Sequence, residues 1–71
     1  MEFVRVTFDK SRDVIIDGNK AGRTNTVLRV EKGTHRIDLG PPENYAPSFR
    51  RPTVTGTNQF KPLVVTFDPA T

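Results

Sequence analysis

A nucleophile–base–orienter arrangement needs a base, and the only histidine in this chain is His35. A nucleophile–base–orienter set built on it would take its hydroxyl from Ser11 or Ser48. Strand parity puts His35 on the face of Ile37 and Leu39, beside a turn, and the simpler reading is a histidine at the edge of the core. Zinc would need several Cys or His ligands, and the chain has no cysteine. Asp13, Asp17 and Asn19 surround Gly18 without the Asp-x-Asp-x-Asp-Gly spacing of a calcium loop, so a hairpin turn accounts for them better. Gly18, Gly22 and Gly33 are too scattered to cradle a phosphate. No catalytic or metal-ligating residue and no cofactor is expected.

Arginines and aromatics offer more. The strands on either side of Glu31-Lys32-Gly33-Thr34 should both turn their apolar residues inward. Directly opposed residues point to the same face, so Val30 must oppose His35 and Leu28 must oppose Ile37. Arg29 then faces Arg36 on the outer surface, a like-charge juxtaposition costing something under about 1 kcal/mol. Glu31 and Asp38 could offset it as diagonal neighbours, and so could an anionic partner such as a phosphate, an acidic glycan or an acidic protein surface. A second candidate surface is Tyr45-Ala46-Pro47-Ser48-Phe49-Arg50-Arg51, where rings and guanidinium groups could stack on sugars or bases. The competing structural account has Tyr45 and Phe49 sealing the end of the fold while Arg50 and Arg51 protect a sheet edge. The candidate anion or ligand contacts are therefore Arg29, Arg36, Tyr45, Phe49, Arg50 and Arg51.

The elements that position these residues read as strands. Phe3 to Phe8 alternates, with Val4, Val6 and Phe8 on one face. A charged turn follows at Asp9-Lys10-Ser11-Arg12. Val14-Ile15-Ile16 runs into Asp17-Gly18, a hairpin signal that should pair Ile16 with Asn19 and Val14 with Ala21. Gly22 to Thr26 ends that strand, and Val27–Val30 and His35–Leu39 are two more. Gly40-Pro41-Pro42-Glu43-Asn44 must be loop. Tyr45 to Val54 is a proline-interrupted edge strand, and after a turn Leu63 to Phe67 closes the fold. No window carries helical spacing. Short strands at this spacing predict a single all-β domain, a small antiparallel β-sandwich of six or seven strands. Its core is Val4, Val6, Phe8, Val14, Ile16, Leu28, Val30, Ile37, Leu39, Val54, Leu63, Val65 and Phe67.

At 71 residues the chain holds one domain and one modest core, and without disulfides packing must supply the margin. The net charge of +3 is mild, and Lys and Arg alternate with Asp and Glu instead of clustering in a nucleic-acid arm. No apolar run spans a membrane and no secretory signal opens the chain, so it reads as cytoplasmic as it stands or as a domain cut from an envelope protein. The proline-poor first strand could pair weakly with a second copy.

Val14-Ile15-Ile16-Asp17-Gly18, then Gly22-Arg23-Thr24, then Leu28-Arg29-Val30-Glu31-Lys32-Gly33-Thr34-His35-Arg36-Ile37-Asp38-Leu39 resembles the PEGA-domain family. The likeness continues through Tyr45 and Thr53-Val54-Thr55 and covers roughly Lys10 to Phe67. Where the family has its Pro-x-Gly-Ala segment, this chain has Lys10-Ser11-Arg12-Asp13. The resemblance implies a small β-sandwich of the kind found on bacterial envelope and surface proteins, with no catalytic residue and no defined ligand. The leading expectation is a non-catalytic binding or structural module whose ligand the sequence does not identify, with an acidic protein surface or an anionic glycan as the candidate partners. The alternative is a small basic β domain that binds nucleic acid.

Overall fold

The computed structural model describes residues 1–70 as ten short strands and no helix. They are β1 (Glu2–Thr7), β2 (Asp13–Ile16), β3 (Asn19–Arg23), β4 (Val27–Val30), β5 (Gly33–Thr34), β6 (Ile37–Asp38), β7 (Tyr45–Ala46), β8 (Thr53–Val54), β9 (Leu63–Thr66) and β10 (Asp68–Pro69). Four small sheets result: β4-β1-β9, β3-β2-β6, β5-β8 and β10-β7.

Alternation along each strand sorts side chains between one shared core and the surface. Every residue predicted for the core is buried except Leu63, which is half-buried and packs against it; Tyr45 joins the cluster. Phe8, Tyr45 and Phe67 meet edge to face, with ring centroids 6.3 and 5.6 Å apart. Asp17 and Gly18 form the predicted hairpin turn, both at positive φ, and Ile16 opposes Asn19.

Four expectations need correction. The fold is not purely antiparallel, because β9 lies parallel to β1, with Val4 opposite Leu63 and Val6 opposite Val65. The predicted pairing of Val27–Val30 with His35–Leu39 does not occur: β4 pairs with β1, so Leu28 opposes Val4 and Arg29 opposes Phe3. Leu28 and Ile37 are both buried, but in different sheets. Inward parity is met equally well when two strands reach one core from separate sheets, so parity alone did not fix the partner. Third, a bulge between Val14 and Ile15 moves Val14 opposite Gly22 instead of Ala21. A Cβ on Gly22 would sit 2.4 Å from Leu28 Cδ2, so the bulge places a residue without a side chain where Leu28 needs the room. Fourth, Tyr45 to Val54 is broken into β7, an isolated bridge from Arg50 to Ile37, and β8.

One register nevertheless runs through the broken pieces. His35 N donates to Pro52 O at 3.1 Å, and Ile37 and Arg50 exchange both bonds at 2.8 and 2.9 Å. Together with Gly33↔Val54 and Thr34↔Thr53, these make residues 33–38 and 50–54 one antiparallel ribbon.

Candidate functional site

Arg36 leaves the position assigned to it opposite Arg29. Its guanidinium carbon lies 4.5 Å from the centroid of the Phe49 ring, and that of Arg51 lies 6.0 Å from the same ring. The ribbon explains the meeting: Arg36 precedes Ile37, whose bonding to Arg50 brings residues 49–51 alongside. Phe49 stays 40% exposed, so the ring carries guanidinium groups instead of filling the core. Asp38, two residues along the same segment, approaches Arg36 Nε at 3.8 Å, whereas the diagonal arrangement expected across an Arg29–Arg36 pair is absent because β4 pairs with β1. Arg50 extends to the other side, its Nε donating to Thr66 O at 3.3 Å.

The remaining candidates separate. Arg29 is exposed on β4, across from Phe3 and away from Arg36 in the pairing scheme. Tyr45 is buried; its hydroxyl donates to Gly40 O at 3.0 Å and accepts from Leu39 N at 3.3 Å. The structure thus gathers Arg36, Phe49, Arg50 and Arg51 along one stretch of the ribbon.

His35 partners neither serine. Its Nδ1 lies 2.6 Å from Asp17 Oδ2 and its Nε2 lies 2.5 Å from Glu31 O. A carboxylate and a carbonyl can only accept, so both ring nitrogens carry protons and the imidazole sits as a cation. The Asp17 carboxylate accordingly raises the pKa of His35 above its ordinary 6.5, helped by the Glu31 carbonyl. Reciprocally, His35 and the backbone N–H of Arg36 hold Asp17 below its ordinary 3.8. Both ring nitrogens are thus engaged within the fold, one by the β2–β3 turn and one by the Glu31 carbonyl. Asp13 is likewise held low by Arg23, whose Nη1 donates to it at 2.8 Å.

Sequence reading missed Arg12 altogether, placing it in a solvated turn. Its Nη2 donates to the carbonyls of Leu39, Gly40 and Pro42 at 3.2, 3.0 and 2.9 Å, and Nη1 donates to Asn44 Oδ1. The guanidinium also lies 5.2 Å from the Tyr45 ring and 5.9 Å from Phe8. The signal available was the loop itself: Gly40 to Asn44 contains two prolines and cannot satisfy its carbonyls by a ladder, so a multidentate donor has to come from elsewhere. Thr24, the one buried polar residue among those described, ties down the segment that carries Arg12 by donating to Lys10 O and accepting from Arg12 N.

Among the described residues, no three His, Asp or Glu side chains gather to hold a metal ion, and no helix is long and apolar enough to cross a membrane. The molecule is a small all-β module whose inward polar groups are spent on one another. The PEGA domain model matches residues 5–69, nearly the whole chain, and the chain belongs to that family. No curated protein and no solved structure matches it.

Proposed function

We propose that this PEGA domain is a non-catalytic β-sandwich recognition module whose contact surface is the ridge of Arg36, Phe49 and Arg51, with Arg50 reaching the opposite side toward Thr66. The sandwich reading rests on two three-stranded sheets that feed alternate residues into one core. The carrying observation is Phe49, two-fifths exposed, with the Arg36 and Arg51 guanidinium carbons 4.5 and 6.0 Å from its ring centroid. Hydrophobic surface flanked by fixed cations suits a partner with carboxylate or sulfate groups beside apolar or ring surface. The ligand classes that fit are an acidic protein surface and an anionic glycan.

Titration of the labelled domain with polyglutamate, a sulfated glycan, and single- and double-stranded DNA, each at two ionic strengths, tests the assignment. An acidic peptide or glycan should shift the signals of Arg36, Phe49 and Arg51, and Arg36→Ala or Phe49→Ala should weaken binding. Preferential DNA binding that collapses with salt would favour the nucleic-acid alternative. Unchanged binding by both variants would reject the ridge.

A further inference from the structure

Strand β9 is an edge strand, and its bonding pattern is readable. Phe67 N donates to Thr7 O at 3.0 Å, so Val65 and Phe67 turn their main-chain groups toward β1. By alternation Val64 and Thr66 turn theirs outward. The Arg50 side chain confirms that direction by donating to Thr66 O. The ribbon presents a second edge. Arg50, Pro52 and Val54 bond toward residues 33–37, so Arg51 and Thr53 turn their N–H and C=O groups the other way. Among the described residues, the outward N–H groups of Val64, Thr66 and Arg51 have no partner.

A groove of about 510 Å³ lies between these edges, lined by Arg50, Arg51 and Pro52 on one side and by β9 on the other. Its floor and rim are apolar through Leu63, Val64 and Val65, and the only charges lining it are positive. Edge strands normally carry a deterrent to pairing. Strand β4 has Arg29 and β3 has Lys20 and Arg23, whereas Leu63-Val64-Val65-Thr66 has no charge and no proline within it. Val64 is 57% exposed.

We propose that this groove accepts an extended acidic peptide segment of a partner protein, which adds to β9 as a further strand while its carboxylates meet Arg50 and Arg51. The inference builds on the reading of the chain as a binding module and names the kind of partner. Main-chain bonds to Val64 and Thr66 supply strand affinity, and the arginines select for acidic side chains. Two copies pairing through β9 would bring like-charged Arg50 and Arg51 clusters toward each other, which disfavours a second copy as the occupant.

The test uses a capped Glu-Val-Glu-Val-Glu-Val peptide, its lysine-for-glutamate counterpart, and a version N-methylated along one edge. The acidic peptide should shift the amide signals of Val64, Thr66 and Arg51 and slow their hydrogen exchange. Val64→Pro removes an outward N–H at an edge, where proline is tolerated. That change and Arg51→Glu should each weaken binding by about tenfold or more, the equivalent of one lost hydrogen bond or ion contact. Arg51 is exposed, so Arg51→Glu keeps the test valid should Val64→Pro misfold. The N-methylated and lysine peptides should fail to bind. Equal binding of the N-methylated peptide would overturn strand addition, as would shifts confined to Arg36 and Phe49, although the latter would leave the ridge reading intact. Self-association through Val64 without peptide, or duplex DNA shifting the same amides, would overturn the choice of occupant. No response to any peptide overturns the proposal.

Discussion

His35 and Asp17 stand 2.6 Å apart, imidazole to carboxylate, and tie the β2–β3 turn to the ribbon that carries Arg36. Asp17 Oδ1 also accepts from Arg36 N at 2.9 Å, and Asp17 N donates to Arg36 O at 2.8 Å. One turn residue therefore fixes the backbone beneath the arginine–aromatic ridge.

Stability should show a plateau set by this pair. His35 has a raised pKa, so its contribution is complete below 6.5 and is lost as pH climbs through the folded value. Asp17 has a depressed pKa, so its contribution is present above 3.8 and is lost as pH falls through the folded value. Both ions are in place between those limits. Urea midpoints measured across pH should fall on either side of the window. Asp17→Asn should return the His35 titration, followed by its ring signals, toward 6.5. A wild-type His35 titrating at or below that value would remove the ion pair from the account.

Arg12→Ala should cost about 2 kcal/mol or more, because three carbonyls lose a charged donor and two rings lose a cation above them. Arg12→Lys should recover only part of the loss, since a point charge cannot bridge the same set of acceptors. Equilibrium urea unfolding checks both. Hydrogen exchange should quicken in residues 39–45 of the alanine variant, and an unchanged rate there would argue that the loop holds itself.

Gly22→Ala pushes a methyl group into Leu28 at a distance no real contact allows. Because Leu28 Cδ2 is the movable end of a side chain, the cost should fall at the low end of the roughly 1–3 kcal/mol of overpacking. Combined with Leu28→Ala, the two losses should add to less than their sum, as the smaller side chain makes room. Strict additivity in thermal or urea unfolding would show that the bulge has another cause.

Tyr45→Phe and Phe49→Ala should part company. The first leaves Leu39 N without its acceptor and takes from Gly40 O one of its two donors, Arg12 being the other, and should cost about 1 kcal/mol or more. The second removes an exposed ring and should shift stability by less than about 0.5 kcal/mol while weakening ligand binding. A large stability loss in Phe49→Ala would make the ring a structural part of the fold.

The core was legible because a strand alternates with period two whatever it pairs with. Val4, Val6, Leu28 and Ile37 were placed inward from that rule alone, and they are buried. The Asp17-Gly18 turn was legible because its residues tolerate positive φ. Strand partners were not, since parity gives the face and says nothing about the neighbour. Leu28 illustrates this, pointing inward as expected but beside Val4. Among the candidate contacts, Arg36 and Phe49 were named separately, while their stacking depends on a bridge between Ile37 and Arg50 that lies inside a proline-rich segment. Arg12 was hidden because a charged residue in a polar run reads as solvated, and its acceptors lie in a loop about thirty residues further along.

The central place of β1 has a consequence for biogenesis. It pairs with β4 on one side and with β9 on the other, and Thr7 meets Thr66 across 59 residues of chain. On emergence from the ribosome β1 can meet β4 early, but its β9 flank is completed only after most of the domain has been made. High contact order makes such closure slow for so short a chain. Until then the β9 side of β1 is an open strand edge, the place where non-native pairing competes with folding.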